Sequence, residues 1–189
     1  MNQIDDPTYK ICKELQKIIH PIATKAKSYI KDSYHFKQRL NEVKIEGHYM
    51  QLSFDVRSLF PSVPVKQTLS LIQSKLQRDK SLKDRTKWKP EQITNVLEIC
   101  TEETHFMDYK GQIWTQSDGT AIGKSISGDI TAICMEFYED EYVLDPNKNA
   151  FVPVLWVQQV DDVYCLWQYG YDNIPFFLAY INSIDPRIH

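Results

Sequence analysis

Two adjacent carboxylates, Asp161 and Asp162, lie between apolar runs in the segment "VQQVDDVYCLW". Neighbouring like charges repel, and apolar surroundings lower the local dielectric constant and strengthen the repulsion. A bound cation would reverse this interaction. Mg²⁺ suits such a place because it prefers hard oxygen ligands and is usually held by one or two carboxylates together with substrate phosphates. Aspartate is also common in turns, so the pair alone more often indicates a structural turn than a metal site.

A third carboxylate, Asp55, ends the segment "YMQLSFDV", in which apolar and polar residues alternate as in a β-strand. The alternation places Asp55 on the polar face of this strand. Residues 152–160 and 163–167 predict two further strands that turn at Asp161 and Asp162. If the strand of Asp55 lies beside this hairpin, the three carboxylates could hold two Mg²⁺ ions roughly 3.5–4 Å apart. That arrangement stabilises both the attacking and the leaving oxygen in phosphoryl transfer.

A glycine-punctuated loop precedes a predicted helix over residues 125–143. Its small residues would let another molecule approach the backbone closely; they are Gly119, Ala121, Gly123, Ser125 and Ser127. An ordinary flexible loop is the alternative interpretation. The chemistry-bearing residues therefore occur in the order Asp55, glycine loop, aspartate pair.

This order resembles motifs A, B and C of reverse transcriptases. The wording "LSFDVRSLFPSVP" is similar to that of Penelope-like retroelement reverse transcriptases, and "GTAIGKSIS", "WVQQVDD" and "DSYHFKQRL" resemble further blocks of the same family. The resemblance covers most of the chain, from about Pro7 to the end. It implies a polymerase palm and RNA-directed DNA polymerase activity, in which a dNMP unit from a dNTP is joined to a primer 3′-hydroxyl group.

The resemblance also implies roles for the acidic residues. Asp55 and Asp161 would ligate two catalytic Mg²⁺ ions, which Mn²⁺ could replace, and Asp162 would complete the acidic cluster. Phe60 matches the bulky residue that lies under the incoming sugar and would clash with a 2′-hydroxyl group. Without the resemblance, core packing beside Leu59 is the favoured interpretation of Phe60.

Three residues of the glycine loop match the motif that contacts template and nucleotide. Gly119 and Gly123 would let these ligands lie against the backbone, and Ser127 matches the small polar residue at the start of the following helix. The expected partners are an RNA template, a DNA primer and a dNTP.

The sequence also departs from the family pattern. Gln158 and Gln159 replace an Arg-Tyr pair, Ile122 replaces a methionine, and Lys124-Ser125 and Gly128 replace Ser-Pro and Pro. Most of the fingers blocks, motif D and the thumb are missing, so we expect a palm-centred fragment. These departures favour an alternative hypothesis, a catalytically degenerate remnant that binds nucleic acid or protein. A palm-type nucleotidyl transferase or cyclase of another kind is less favoured, because no diagnostic loop is found.

A basic segment interrupts a chain whose formal net charge is −3. Between residues 75 and 89 its cationic side chains outnumber the two aspartates; they are Lys75, Arg78, Lys80, Lys83, Arg85, Lys87 and Lys89. A solvated, mobile loop is one interpretation. A surface that follows phosphates is the other, with Lys75, Arg78 and Lys87 as the predicted nucleic-acid contacts.

The 189 residues, of which 42% are hydrophobic, predict a single domain. The predicted fold class is α/β (α+β): a small, mainly antiparallel sheet covered on one face by helices at about 65–77, 91–103 and 125–143. An N-terminal helical segment extends from Pro7 to about Val43, with a break or bend at Pro21. In the family's terms, residues 1–45 would connect fingers and palm, and residues 46–189 would form the palm.

Other patterns concern location and smaller elements. No apolar run approaches the roughly 20 residues that span a bilayer, and the N-terminus does not resemble a signal peptide. We therefore expect an intracellular protein without a membrane partner, and the resemblance implies a nuclear one.

The four scattered cysteines predict small buried residues, and residues 105–116 predict a hairpin that turns at Lys110-Gly111. The oligomeric state is not predicted.

Overall fold

The computed structural model describes residues 7–102, 105–116 and 118–189. Residues 1–6 of the predicted N-terminal segment and residue 103 of the predicted helix 91–103 lie outside the described residues. Contacts between residues divide the chain into two compact units. The first unit contains Met1–Lys25 and Phe60–Cys134, and the second contains Ala26–Leu59 and Met135–His189. The single domain over residues 1–189 stays a prediction.

Helices and short strands follow one another along the described chain. The helices are α1 (Tyr9–Ala23), α2 (Ser33–Asn41), α3 (Leu59–Ser62), α4 (Val65–Arg78), α5 (Leu82–Arg85), α6 (Pro90–Glu102), α7 (Ser127–Tyr138) and α8 (Ile174–Ile184). The strands are β1 (Met50–Asp55), β2 (His105–Met107), β3 (Ile113–Thr115), β4 (Leu155–Gln159) and β5 (Asp162–Trp167). A π-helical turn, Glu139–Val143, follows α7, and a 3₁₀ turn, Tyr171–Asn173, precedes α8.

The first unit is built on α1, α4 and α6, which pack against one another. Each of these helices has an apolar stripe with a period of three to four residues, so each buries one face. The buried side chains include Leu15, Ile19, Ile72, Leu76, Ile93 and Leu97. The predicted helices 65–77 and 91–103 agree with α4 and α6 within one residue over the described chain.

The predicted hairpin over residues 105–116 is also confirmed in the first unit. Strands β2 and β3 pair in antiparallel register. Gly111 donates its N–H to the Asp108 carbonyl at 3.0 Å and has a φ of 82°, a left-handed conformation that favours glycine. The turn is therefore at Lys110-Gly111, as the sequence predicts.

The second unit is built on a three-stranded antiparallel sheet in the order β1-β5-β4. One face carries a cluster that includes Trp156, Val163, Cys165 and Trp167, closed by Phe177 of α8. On the opposite face, Leu155, Val157 and Leu166 pack with Ile30, and side chains of α2 cover them. The predicted fold class, which combines helices with a small antiparallel sheet, is confirmed. The predicted cover of one face by helices 65–77, 91–103 and 125–143 differs from the structure, because α8 packs on one face, α2 packs on the other, and α4 and α6 belong to the first unit.

Two predicted helices are interrupted in the structure. The N-terminal segment is α1 and α2 separated by residues 24–32, with Pro21 inside the last turn of α1. Asp32 begins α2 by accepting the His35 N–H at 2.9 Å. The predicted helix 125–143 begins at Ser127 and widens into the π-helical turn at Glu139.

All four cysteines are buried, and none forms a disulfide. In the ranges that the structure describes, no helix combines the length and the apolar character needed to cross a bilayer.

Candidate functional site

The strand register places Asp55 directly opposite Asp162. Asp55 is the last residue of β1, Asp162 is the first of β5, and their Cα atoms are partners in the antiparallel pairing. Directly opposed residues of an antiparallel pair point to the same face, with Cβ atoms roughly 4.5–5.5 Å apart. Both side chains are exposed. The hypothesis of a shared acidic site required the strand of Asp55 to lie beside the hairpin, and β1 does pair with β5.

Asp161 occupies the turn between β4 and β5 and is half-buried. Its carbonyl accepts the N–H of Val56 at 3.1 Å, so the turn is tied to the residue that follows Asp55. The backbone thus brings Asp55, Asp161 and Asp162 to one end of the sheet, which we call the acidic edge.

The donor chemistry at this end of the sheet fits Mg²⁺, because carboxylate oxygens are hard ligands and the edge is open to further ligands such as phosphates. Among the residues that the structure describes, however, no three His, Cys, Asp or Glu side chains form a ready-made ligand group. The three aspartates are neighbours in the backbone, but their carboxylates would have to reorient to share an ion. Metal binding at Asp55, Asp161 and Asp162 therefore stays a prediction.

Gln158 braces the turn that carries the aspartate pair. Its side chain is buried, and its Nε2 donates to the Val160 carbonyl at 2.6 Å. Val160 has a φ of 60°, the left-handed region that a β-branched residue rarely adopts. The glutamine that departs from the family pattern thus holds a strained residue directly before Asp161. Sequence reasoning missed this role, although a β-branched residue in a tight turn was a usable signal.

Gln159 has a different position from Gln158. It is exposed and pairs with Asp162 across β4 and β5, so the register places its side chain on the same face as Asp162 and Asp55. It therefore adds a neutral amide, and no further charge, to the acidic edge.

The glycine loop of the first unit is held by the backbone after β1. Gly119 is buried with a φ of 75°, and a Cβ atom there would overlap the backbone of Pro61. The N–H of Thr120 donates to the Phe60 carbonyl at 2.8 Å. The close approach at Gly119 is therefore made by this chain itself. Gly123 is exposed, with a φ of 100°.

The other predicted nucleotide-binding residues also lie in the first unit. Phe60 is half-buried in α3. Ser127 is buried, and its Oγ donates to the Ala121 carbonyl at 2.7 Å, so its hydroxyl group is used within the loop. Nucleotide binding by Phe60, Gly119, Gly123 and Ser127 stays a prediction.

Lys124 contributes to the same loop and was missed as a functional candidate. It is buried, and its Nζ donates to the Cys100 carbonyl at 2.7 Å. This carbonyl is in the last turn of α6, where a cation also interacts favourably with the helix dipole. Lys124 therefore fixes the loop to the end of α6.

The basic segment is organised around Asp79. The carboxylate of Asp79 accepts hydrogen bonds from Arg85 and Ser81. The Arg85 guanidinium group, with help from Ser81, lowers the pKa of Asp79 to about 2. Because residues 82–85 form α5, the segment is not a loop throughout. Arg78 and Lys87 are exposed, and Lys75 is half-buried at the end of α4.

Glu139 is a buried acidic residue that sequence reasoning did not single out. Burial raises the pKa of its carboxyl group to about 7, although hydrogen bonds from Ser28 and Trp156 oppose the rise. The neighbouring carboxylates of Asp140 and Glu136 raise it further. Three acidic residues, Glu136, Glu139 and Asp140, interrupt the apolar residues of the segment "AICMEFYED", and this pattern was the available signal.

Comparisons with known proteins identify the fold. No family model and no curated protein matches the chain. Among solved structures, the apo telomerase of Candida tropicalis truncated from its C-terminal domain matches 98% of this chain with a TM-score of 0.62 and 14% identity. The C. tropicalis telomerase in complex with a fragment of telomeric RNA gives a TM-score of 0.63 over 98% of this chain at 15% identity. The corresponding Candida albicans structure gives 0.56 over 93% at 13% identity.

The chain spans only 39%, 32% and 32% of the lengths of these three telomerase chains. At such low identity the likeness concerns the fold alone. It agrees with the reverse-transcriptase part of the resemblance in the sequence, while the Penelope-like type stays a prediction. The described chain therefore has a reverse-transcriptase-like fold.

Proposed function

We propose that this chain is the palm portion of an RNA-directed DNA polymerase, of the Penelope-like type that its motif A wording resembles. The primer 3′-oxygen attacks the α-phosphorus of a dNTP, the bond to the β-phosphate breaks, and pyrophosphate leaves. The observation that carries the proposal is the register that sets Asp55 opposite Asp162 beside the Asp161 turn, in a reverse-transcriptase-like fold. The proposal also includes the activity of the whole polymerase, of which this chain would form one part.

In this mechanism Asp55 and Asp161 would hold two divalent cations, and the negative charge of Asp162 would favour their binding. Bound ions would supply activation of the primer hydroxyl group and neutralisation of the leaving pyrophosphate. The hydrogen bond from Val56 to the Asp161 carbonyl keeps the turn next to the end of β1. Positioning of this kind supplies much of the catalysis in phosphoryl transfer.

Other residues receive roles in the same proposal. Phe60, Gly119, Gly123 and Ser127 contact the incoming nucleotide. Lys75, Arg78 and Lys87 contact phosphates of the RNA template or DNA primer. Two matched telomerase structures contain a fragment of telomeric RNA, which supports a nucleic-acid partner. A nuclear location would suit such an enzyme.

A second candidate function is a nucleic-acid or protein binding module that has lost catalysis. Two observations favour it. No ready-made carboxylate ligand group occurs among the described residues. In addition, Gln158 and Gln159 replace the Arg-Tyr pair that precedes the aspartates in the resembled motif. Under this alternative the fold and the basic segment remain, but divalent cations have no specific site.

Thermal unfolding with and without Mn²⁺ separates the two candidates. A ligand that binds only the folded state at about 100 times its Kd adds about 2.7 kcal/mol to the free energy of unfolding. We expect Mn²⁺ and Mg²⁺ to stabilise the wild type, and Asp161→Asn to abolish the effect. Asp172→Asn is the matched control, because Asp172 is exposed and lies in the 3₁₀ turn rather than at the acidic edge.

Primer extension then tests the reaction itself. Under the polymerase proposal, Mg²⁺-dependent extension of a DNA primer on an RNA template is lost in Asp161→Asn and retained in Asp172→Asn. Equal extension by the wild type and Asp161→Asn would contradict the assigned metal role. RNA binding without cation-dependent stabilisation would instead support the binding module.

A further inference from the structure

The carboxyl group of Glu139 joins two separate segments of the second unit. Glu139 is 2% exposed, and the Ser28 hydroxyl group donates a short hydrogen bond to its Oε2. The Trp156 Nε1 donates to its Oε1 at 2.7 Å. A buried carboxyl group is stable only when its oxygens have partners, so both bonds are needed to keep it in place. Glu139 thus fixes Ser28 and strand β4 relative to each other.

Ser28 in turn positions the backbone of Gln158. The Ser28 carbonyl accepts the Gln158 N–H at 2.7 Å, and the Gln158 carbonyl accepts the Ile30 N–H at 2.9 Å. These two bonds form a short parallel pairing on the side of β4 that does not face β5. A shift of Ser28 would therefore move the last residues of β4.

Gln158 passes this constraint to the aspartate turn. Its side-chain amide holds the carbonyl of Val160, whose left-handed φ is strained. Strained conformations persist only where the surrounding structure enforces them, and they concentrate at functional sites. The next residue is Asp161, whose carbonyl is bonded to Val56. A continuous series of hydrogen bonds therefore leads from Glu139 to the acidic edge.

We propose that Glu139 is a positioning residue for Asp161 and Asp162, acting through Ser28 and Gln158. The inference rests on the proposed function for the role of the two aspartates. Its physical basis is that one carboxyl group with two acceptor oxygens bridges two donors on different segments, which no apolar side chain of similar volume would do. Loss of the bridge makes the turn more mobile. The conformation in which the carboxylates can bind a cation is then populated less, so cation affinity falls.

The test uses Ser28→Ala, which removes only the hydroxyl group of the bridge. Ser183→Ala is the matched control, because Ser183 Oγ donates to the Tyr180 carbonyl on the exposed side of α8 in the same unit. Loss of a direct hydrogen-bond partner of a metal ligand typically weakens metal binding by about 10- to 100-fold, and Ser28 acts on the aspartates only through Gln158, so the lower end of this range applies. We expect Ser28→Ala to weaken Mn²⁺ binding by about tenfold and to speed hydrogen exchange of the Val56 amide, which reports on the bond to Asp161. Glu139→Gln retains an acceptor for Trp156 and gains a donor for Ser28, so it should keep Mn²⁺ binding within about threefold of the wild type.

The outcomes separate the inference from the proposed function. If the wild type binds no Mn²⁺, the metal role fails, and Val56 exchange alone decides whether Glu139 positions the turn. If the wild type binds Mn²⁺ and Ser28→Ala equals Ser183→Ala in both measurements, the positioning role is overturned. Faster exchange spread evenly over β1, β4 and β5 in Ser28→Ala would also overturn it, because it would show general support of the sheet instead of a local effect on the turn.

Discussion

Replacing Glu139 by glutamine should remove a specific pH dependence from the folding of this chain. In the unfolded chain the carboxyl group has its ordinary pKa of 4.5, whereas burial raises the pKa to about 7 in the folded state. The folded state therefore holds a proton that the unfolded state has lost between these pH values. The resulting stabilisation is fully present below about pH 4.5 and is lost as the pH rises through about 7. Glutamine imitates the protonated acid and cannot titrate.

The size of the effect follows from the interval between the two pKa values. At about 1.4 kcal/mol per pH unit, the interval from 4.5 to about 7 corresponds to about 3 kcal/mol of unfolding free energy. This is a large share of the roughly 5–15 kcal/mol that stabilises a typical domain. Burial also raises the pKa of Asp129, so the wild-type profile contains more than one contribution. The difference between the wild type and Glu139→Gln isolates that of Glu139.

Urea unfolding followed by circular dichroism at several values between about pH 5 and about pH 8 measures this difference. We expect the wild type to lose about 2–3 kcal/mol relative to Glu139→Gln across this range. Glu141→Gln is the control, because Glu141 is exposed in the same π-helical turn and pairs with Lys148. Parallel pH profiles for the wild type and Glu139→Gln would refute the reasoning about the buried carboxyl group.

Three further predictions concern the glycine loop, the acidic edge and the basic segment. Thermal unfolding should show that Gly119→Ala destabilises the chain by more than the roughly 1 kcal/mol expected for Gly111→Ala. Both glycines have a positive φ, but only at Gly119 would the added Cβ atom overlap the Pro61 backbone. Equal losses of stability would contradict the close approach. Asp161→Asn should leave the metal-free protein at least as stable as the wild type, since it relieves like-charge repulsion, and calorimetry without divalent cations checks this. Lys87→Glu should weaken binding of single-stranded RNA and reduce the steepness of the plot of log association constant against log salt concentration by about one or more. Lys44→Glu is the control and should change neither quantity, because Lys44 is exposed and lies outside the basic segment. An unchanged slope in Lys87→Glu would exclude a phosphate contact at Lys87.

The strands of the candidate site could be predicted because their signals are local. Alternation of apolar and polar residues located β1 and placed Asp55 on its exposed face. The apolar runs around Asp161-Asp162 likewise located the hairpin, but its turn is at Val160 and Asp161, and Asp162 already begins β5. Neighbouring residues are sufficient for such predictions, since side-chain direction in a strand has a fixed period of two.

The supporting interactions could not be predicted because they join residues that are distant in sequence. The predicted N-terminal helix is interrupted at residues 24–32, where the backbone of Ile30 pairs with Gln158 instead of continuing the helix. The bridge from Glu139 to Ser28 and Trp156 likewise depends on tertiary packing. Hydrophobic periodicity shows which face of an element is buried, but it does not show which polar partner lies there.

The pairing of Asp55 with Asp162 has a consequence for folding kinetics. These residues are separated by about a hundred positions, so the acidic edge exists only after a long loop has closed and β1 has paired with β5. A slip of one residue in this pairing would turn Asp162 toward the face that carries Trp156 and Phe177. A divalent cation bound at this edge should therefore act after the main folding barrier. It should slow unfolding while leaving the refolding rate nearly unchanged.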